Sequence, residues 1–340
     1  KNLLQLINIH YVWFIVGEMM KAIQYHDIGE PDVLRYEDVP DPIVGAGEVL
    51  IKASAVGVNF SEIGRRKGVF PLPPGISLPN IPGYECAGVV EALGSNVQSF
   101  SVGDRVVAWD LNHTYMEYIR APEERVFKIP QGISLVDASV ISAPYTTAWQ
   151  AVVTRGNIQP GETVLVQAAA SGVGIGAVQL AKHVGATVLG TASSDEKLEW
   201  AKEFGLDYGI NYASTNFVEE VKRLTAGEGV DVVIDGVGGE IFTKSLEALK
   251  MGGRLLTYGV ASGIRTAEII VPQLWFGNKS IIGIYANMMK RHEFDRVLYM
   301  LDRGDLRATL DRTWPLHEAA EAHRYIEGRN VRGKVSLTLA

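Results

Sequence analysis

From Thr163 onward the chain alternates between short apolar runs and helical patterns, and only a layered sheet-and-helix architecture accommodates that order. TVLVQA (163–168) is followed by GIGAVQLAKHV (174–184), TVLGTA (187–192) by EKLEWAKEFG (196–205), and DYGINY (207–212) by NFVEEVKRLTAG (216–227). VDVVID (230–235) leads into EIFTKSLEALK (240–250), and GRLLTYG (253–259) comes after it. Strands that are apolar along their whole length need cover on both faces, which means a parallel sheet with helices on each side. From Met20 to Ile141 the grammar differs. VLIKASAVGV (49–58), CAGVVEAL (86–93), DRVVAW (104–109) and YMEYIR (115–120) are short and split by Gly and Pro, the spacing of a mainly-β unit. With 340 residues the chain is long for one core, so two domains are expected.

The loop after the strand at 163–168 reads Ala169-Ala170-Ser171-Gly172-Val173-Gly174 and runs straight into a helix. The usual dinucleotide fingerprint there is G-x-G-x-x-G. Small residues keep its physics: without bulky side chains, backbone N–H groups approach a pyrophosphate, and the helix N-terminus adds its positive dipole end. At the end of the second strand, an NAD site places an acid for the ribose 2′-OH. Here Ala192 and Ser193 stand at that point, so no carboxylate repels a 2′-phosphate, and Lys197 and Tyr212 are placed to meet one. Asp195 is expected to be an N-cap or first-turn acid. NADPH is therefore expected over NADH.

The net charge of −7 argues against nucleic acid as a partner, and nothing calls for a membrane. Cys86 is the single cysteine; it falls in an apolar strand as a small buried hydrophobe, and a reducing, cytoplasmic setting is expected. Residues 1–19 are apolar, yet Asn8 and His10 interrupt the run and no small-residue cleavage pattern follows. They are read as an upstream extension of uncertain status.

GEVLIKASAVGVNFSE (47–62), IPGYECAGVV (81–90), VGDRV (102–106), IPQGISLVDAS (129–139), AAASGVG (168–174), INY (210–212) and GRNVRGKVSL (328–337) together resemble the medium-chain dehydrogenase/reductase superfamily, in its zinc-independent quinone oxidoreductase branch. The resemblance covers about residues 20–340. It implies an α/β chain in which a GroES-like mainly-β catalytic domain is split around a Rossmann doubly wound parallel-sheet domain. The expected division is 20–143 for the first catalytic part, 144–285 for the Rossmann domain and 286–340 for the returning part. Aligned on these motifs, Asn59, Tyr84 and Ala143 stand where zinc-dependent relatives carry Cys, His and Cys, so no zinc is expected. His113, in a polar turn, is expected to be a solvated loop residue.

Without a Lewis acid, the acceptor must already be electrophilic: quinones, enones and enoyl thioesters qualify and unactivated alcohols do not, with a quinone or activated enone expected. The resemblance places Asn59 beside nicotinamide and substrate as the first catalytic candidate. Ser61 stands at a proton-relay position, although a helix-capping role is its stronger reading. For the cofactor it implies contacts from Asn59, Ala170, Ser171, Gly172, Val173, Gly174, Ser193, Lys197, Tyr212, Tyr258, Gly259 and Val260. Thr257, Ile284, Tyr285, Ala286 and Asn330 are expected to complete that set. Where enoyl-thioester reductases of the superfamily carry a Tyr, this chain has Phe70, which weakens that alternative without removing it. A protein that binds NADPH with little turnover is the alternative of another class. The apolar SIIGI stretch (280–284) is expected at a sheet edge, where related enzymes pair as homodimers.

Overall fold

The computed structural model describes residues 19–339, so the extension read at 1–19 lies, apart from Met19, outside the described residues. Six parallel strands form one sheet in the order Tyr208–Asn211, Thr187–Ala192, Thr163–Val166, Val230–Asp235, Leu249–Thr257 and Ser280–Gly283. Helices Gly172–Val184, Asp195–Lys202, Phe217–Leu224 and Glu240–Ala248 supply the crossovers. The order runs outward from Thr163–Val166 in both directions. A crevice opens at such a reversal, beyond the carboxyl ends of the strands, and dinucleotides bind there in this architecture.

The second sheet orders Leu310–Pro315, Lys334–Thr338, Glu48–Val58, Cys86–Leu93, Arg105–Ala108 and Val126–Lys128, with Tyr118–Pro122 also pairing Glu48–Val58. Met19–Gln24 and Arg35–Pro40 form a separate antiparallel pair. The last strand, Lys334–Thr338, runs antiparallel to Glu48–Val58 with Val335 opposite Val58. Just before it, the Gly333 N–H donates to the Ala170 carbonyl at 2.8 Å, so the C-terminal return is stitched to the fingerprint loop. Trp109, Phe127 and Ile129 of the β unit share one buried cluster with Val164, Val166 and Ile175 of the parallel sheet. The two sheets are thereby held by common packing as well as by the covalent crossings. Cys86 is fully buried, and burial pushes its thiol up to about 12, which suits a packing role.

The strand Ser280–Gly283 is an edge of the parallel sheet, and Ile270, Val271, Trp275 and Phe276 beside it are exposed. Among the described residues no helix is long and apolar enough to cross a membrane.

One buried imidazole couples this core to pH. His323 is fully buried, its Nε2 3.3 Å from the Tyr115 hydroxyl and its Nδ1 without a partner among the described residues. Burial, reinforced by the Arg66 charge, holds its pKa down to about 3 against an ordinary 6.5. The unfolded chain therefore binds the proton first, and stability falls as pH drops from about 6.5 towards 3. Between pH 7.5 and 5.0 this group is expected to cost about 2 kcal/mol. Urea unfolding at both pH values should show that loss in the native chain and a smaller one in His323→Gln; equal slopes would contradict the assignment.

Candidate active site

Ser171 ends the loop in extended conformation and caps the helix Gly172–Val184, its Oγ accepting from the Gly174 N–H at 3.1 Å. The first N–H groups of a helix have no partner within it, and these open on the crevice. Gly174 is required for contact rather than flexibility: a Cβ there would lie 2.3 Å from the Ala168 carbonyl oxygen, so the helix could not seat on its strand.

Two cavities meet at this loop. One, of about 590 Å³, is lined by Ala170, Ser171, Ser193, Lys197, Tyr212 and Arg329 among others. The Lys197 ammonium there donates to the Arg329 carbonyl at 2.6 Å, and burial lowers its pKa. Glu327 also lines this cavity, but Arg66 and Lys67 hold its carboxylate. Asp195 is a first-turn acid and Ser194 is the cap of its helix. The other cavity, of about 550 Å³, is lined by Asn59, Ser61, Arg65, Phe70, Tyr84, Ala143, Ser171, Gly172, Val173, Tyr258, Gly259, Val260, Ala286 and Lys334 among others. Asn59, Tyr84 and Ala143, far apart in sequence, thus stand around one space.

Beneath that space lies a buried network that the sequence analysis missed. Lys334 spends its ammonium on the Val58 carbonyl at 2.6 Å, Asn59 Oδ1 at 2.6 Å and Glu85 Oε1 at 3.0 Å. Asn59 Nδ2 donates to Glu62 Oε1 at 3.1 Å and to Glu85 Oε1 at 3.2 Å. An ammonium on one side and two carboxylates on the other fix which way the amide points. Glu85 is fully buried and also accepts from the Ala143 N–H at 2.8 Å. Glu62 is likewise buried; it accepts from the Tyr115 hydroxyl at 2.7 Å and from the Asn59 N–H at 2.9 Å. Burial raises the Glu62 pKa above the usual carboxylate range. Lys334 sits in the motif RGKVSL, but its partners Val58, Asn59 and Glu85 are about 250 to 276 residues away in sequence, so no local pattern announces them.

Several expectations shift against this geometry. Asn59 lines the cavity, but both its amide hydrogens are committed, so it braces the floor instead of offering a donor. Ser61 is not a helix cap: Asn59 occupies the cap position of Phe60–Arg66, and Ser61 sits within the first turn and lines the cavity. Asn330 is exposed and outside both linings, where Arg329 and Val331 stand instead, because the tight turn at Arg329 (φ 56°) carries the Asn330 side chain outward. Tyr285 is 65% exposed and Ile284 is buried in the core; of that trio Ala286 alone lines the space. Thr257 follows the sheet, paired with Asp235 and Gly283 in register. His113 is half-buried, its Nδ1 3.0 Å from the Ile81 carbonyl, because its turn folds back on the Pro82–Gly83 segment.

Tyr84 turns its hydroxyl to Asn287 Oδ1 at 2.5 Å, and Asp110 closes that group with Arg125. Tyr258 packs across Gly236, where a Cβ would lie 2.3 Å from its ring. Burial, first, and the neighbouring Asp235 raise the pKa of the Tyr258 hydroxyl, which is held neutral.

Residues 45–131 match the family model described as alcohol dehydrogenase GroES-like domain, and residues 172–303 match zinc-binding dehydrogenase. The chain is 35% identical to a 2-haloacrylate reductase of Burkholderia sp, over 94% of this chain and 99% of that protein. It is 32% identical to the Homo sapiens quinone oxidoreductase, over 95% and 98%. The crystal structure of Escherichia coli quinone oxidoreductase complexed with NADPH superposes with a TM-score of 0.88 at 28% identity, covering 94% of this chain and all of that one.

Proposed function

Because this chain belongs to the quinone oxidoreductase branch of the medium-chain dehydrogenase/reductase superfamily, we propose that it is a zinc-independent, NADPH-dependent reductase of quinones and activated enones. The observation that carries the reading is the pair of joined cavities at the fingerprint loop, one basic at its far end and the other largely apolar with Asn59, Tyr84 and Ala143 around it. Quinones and 2-haloacrylates, named for two relatives, are both electron-poor unsaturated systems.

The residues present fit the cofactor. The N-terminus of Gly172–Val184, with Ala170 to Gly174, would hold the pyrophosphate. Ser193, Lys197 and Tyr212 would hold a 2′-phosphate, since the one carboxylate in that lining is already neutralised by Arg66 and Lys67. Tyr258, Gly259, Val260 and Ala286 would flank the nicotinamide end. When bound, NADPH supplies a hydride from its nicotinamide ring.

Zinc does not fit the same way. An amide, a phenol held neutral and a methyl group offer no thiolate or imidazole to a cation. The Lys334 ammonium already supplies the positive charge at the floor, against Glu85 and Asn59. The stretch matching the zinc-binding dehydrogenase model, 172–303, contains none of Asn59, Tyr84 and Ala143.

What the chain contributes is orientation and exclusion of water. Val58, Pro144 and Val335 line a largely apolar space, and Phe70 adds an aromatic ring without a hydroxyl. Ser61 lines this space without a side-chain hydrogen bond among the described residues, which supports assigning its hydroxyl to the acceptor oxygen. Among the described residues no carboxyl or imidazole lines this space, and on this reading protonation of the product is left to solvent. This favours quinones and enones over enoyl thioesters, which gain a hundredfold or more from a placed donor, on the order of general-acid effects.

The test is NADPH consumption with a panel of acceptors. Small ortho- and para-quinones and enones should be reduced, crotonyl thioester slowly, and primary alcohols should not be oxidised. Efficient turnover of crotonyl thioester with inert quinones would make enoyl reduction the function instead. The exposed apolar edge beside Ser280–Gly283 supports a homodimer through that strand, which sedimentation would reveal.

A further inference from the structure

Arginines that are not fully exposed have partners in this chain, with one exception. Arg66 bonds Gly29 O and Glu327, and Arg105 donates to the carbonyls of Pro130 and Ile133. Arg125 pairs with Asp110, Arg254 with Glu162, Arg324 with Asp32 and Glu321, and Arg332 with Glu196. Arg65 is half-buried on the wall of the active-site cavity, and among the described residues its side chain makes no hydrogen bond or ion pair. The nearby carboxylates are already spent: Glu62 on Asn59 and Tyr115, and Glu327 on Arg66 and Lys67.

Arg65 shares the lining of this cavity with Phe60, Phe70, Val58, Pro144 and Val335, and it also borders a small cavity lined by Tyr25, Glu62 and Asn80. A half-exposed guanidinium keeps part of its hydration, and a carboxylate entering the cavity would supply the partner that the described residues do not. The other strong cation of the cavity, Lys334, has all three of its protons engaged. Arg65 thus offers the uncommitted cationic donors of this site. A planar guanidinium matches a carboxylate with two parallel hydrogen bonds, a geometry that ammonium does not reproduce.

We propose that Arg65 recognises a carboxylate carried by the acceptor, so that the preferred substrates are activated enones or quinones bearing a carboxylate. This rests on the reductase reading and narrows it to an anionic substrate class. The acceptor 3-benzoylacrylate is an enone with such a group; its reduction consumes a hydride from NADPH and a proton from solvent and gives 3-benzoylpropionate.

Two measurements separate this inference from the reading beneath it. In the first, kcat/KM is compared for 3-benzoylacrylate and its neutral methyl ester, in the native chain and in Arg65→Gln. The native chain should prefer the carboxylate by about tenfold or more, and Arg65→Gln should lower kcat/KM for the carboxylate about 10- to 100-fold more than for the ester, chiefly through KM. Arg65→Lys should retain part of the preference. In the second, binding of unreactive 3-benzoylpropionate is followed by calorimetry, with and without NADP⁺, and should weaken by a similar factor in Arg65→Gln. Because Arg65 has no partner to lose, thermal unfolding of the variant should match the native chain.

If ester and quinones are reduced but the carboxylate is not preferred, or if Arg65→Gln depresses both acceptors equally, the Arg65 assignment falls and the reductase reading stands. If no acceptor is reduced while 3-benzoylpropionate binds in an Arg65-dependent way, the reductase reading falls and the anion site stands. Equal binding of 3-benzoylpropionate to the native chain and the variant overturns the anion site outright.

Discussion

Lys334→Met is expected to destabilise the folded chain by about 3–5 kcal/mol, the cost of leaving a buried charge without its partner. Lys334 is 7% exposed and Glu85 fully buried, and their 3.0 Å pair is embedded in bonds to Val58, Asn59 and the Ala143 N–H. Removing the ammonium strands the Glu85 carboxylate and frees Asn59 Oδ1, so the cavity floor loses its fixed geometry along with its stability. Methionine fills much of the same volume, which keeps packing loss small. Adding Glu85→Gln to the Met variant should recover most of the loss, because the orphan is then a neutral amide able to bond Asn59 and the Ala143 N–H. Denaturant unfolding of the single and double variants measures both. If the double variant is no more stable than Lys334→Met, the cost does not come from an unpaired carboxylate.

Lys197→Ala is expected to weaken NADPH binding about tenfold to a hundredfold while leaving NADH within about twofold, the range for a charge-assisted contact to a phosphate. The half-buried ammonium is partnered by a backbone carbonyl, Arg329 O, and not by a carboxylate. Glu196, the nearest acid in sequence, pairs with Arg332. Burial lowers the Lys197 pKa, and a 2′-phosphate would restore its preference for the charged form. Quenching of protein fluorescence by each dinucleotide gives the two affinities. A parallel fall for NADPH and NADH would mean that Lys197 serves the fold or the pyrophosphate and does not read the 2′ position.

What could be read from sequence was what local periodicity encodes. The runs at 187–192 and 230–235 coincide with observed strands, and the small-residue loop at 169–174 delivers the helix N-terminus to the crevice, because each depends on residues a few positions apart. The strand expected at 115–120 instead spans Tyr118–Pro122, since Tyr115 and Met116 are drawn into contacts with Met19–Gln24. Asn59 lines the cavity, but its committed amide is invisible without Glu85 and without Lys334, which only the return of the chain brings to it. Ser61 lies two residues past the cap because Asn59 takes that position, its N–H closed by the Glu62 carboxylate. Arg65 carried no motif at all. Its lack of a partner is a property of the folded neighbourhood, where Glu62 and Glu327 are spent on others.

On this reading the chain reduces electrophilic acceptors with NADPH and needs no zinc to do so. NADPH oxidation by a small para-quinone, using protein dialysed against chelator and analysed for metal, tests both halves at once. With zinc below about 0.1 per chain, turnover should be unchanged from the undialysed protein, faster with NADPH than with NADH, and unaffected by added zinc. Loss of turnover on chelation, restored by zinc, would contradict it.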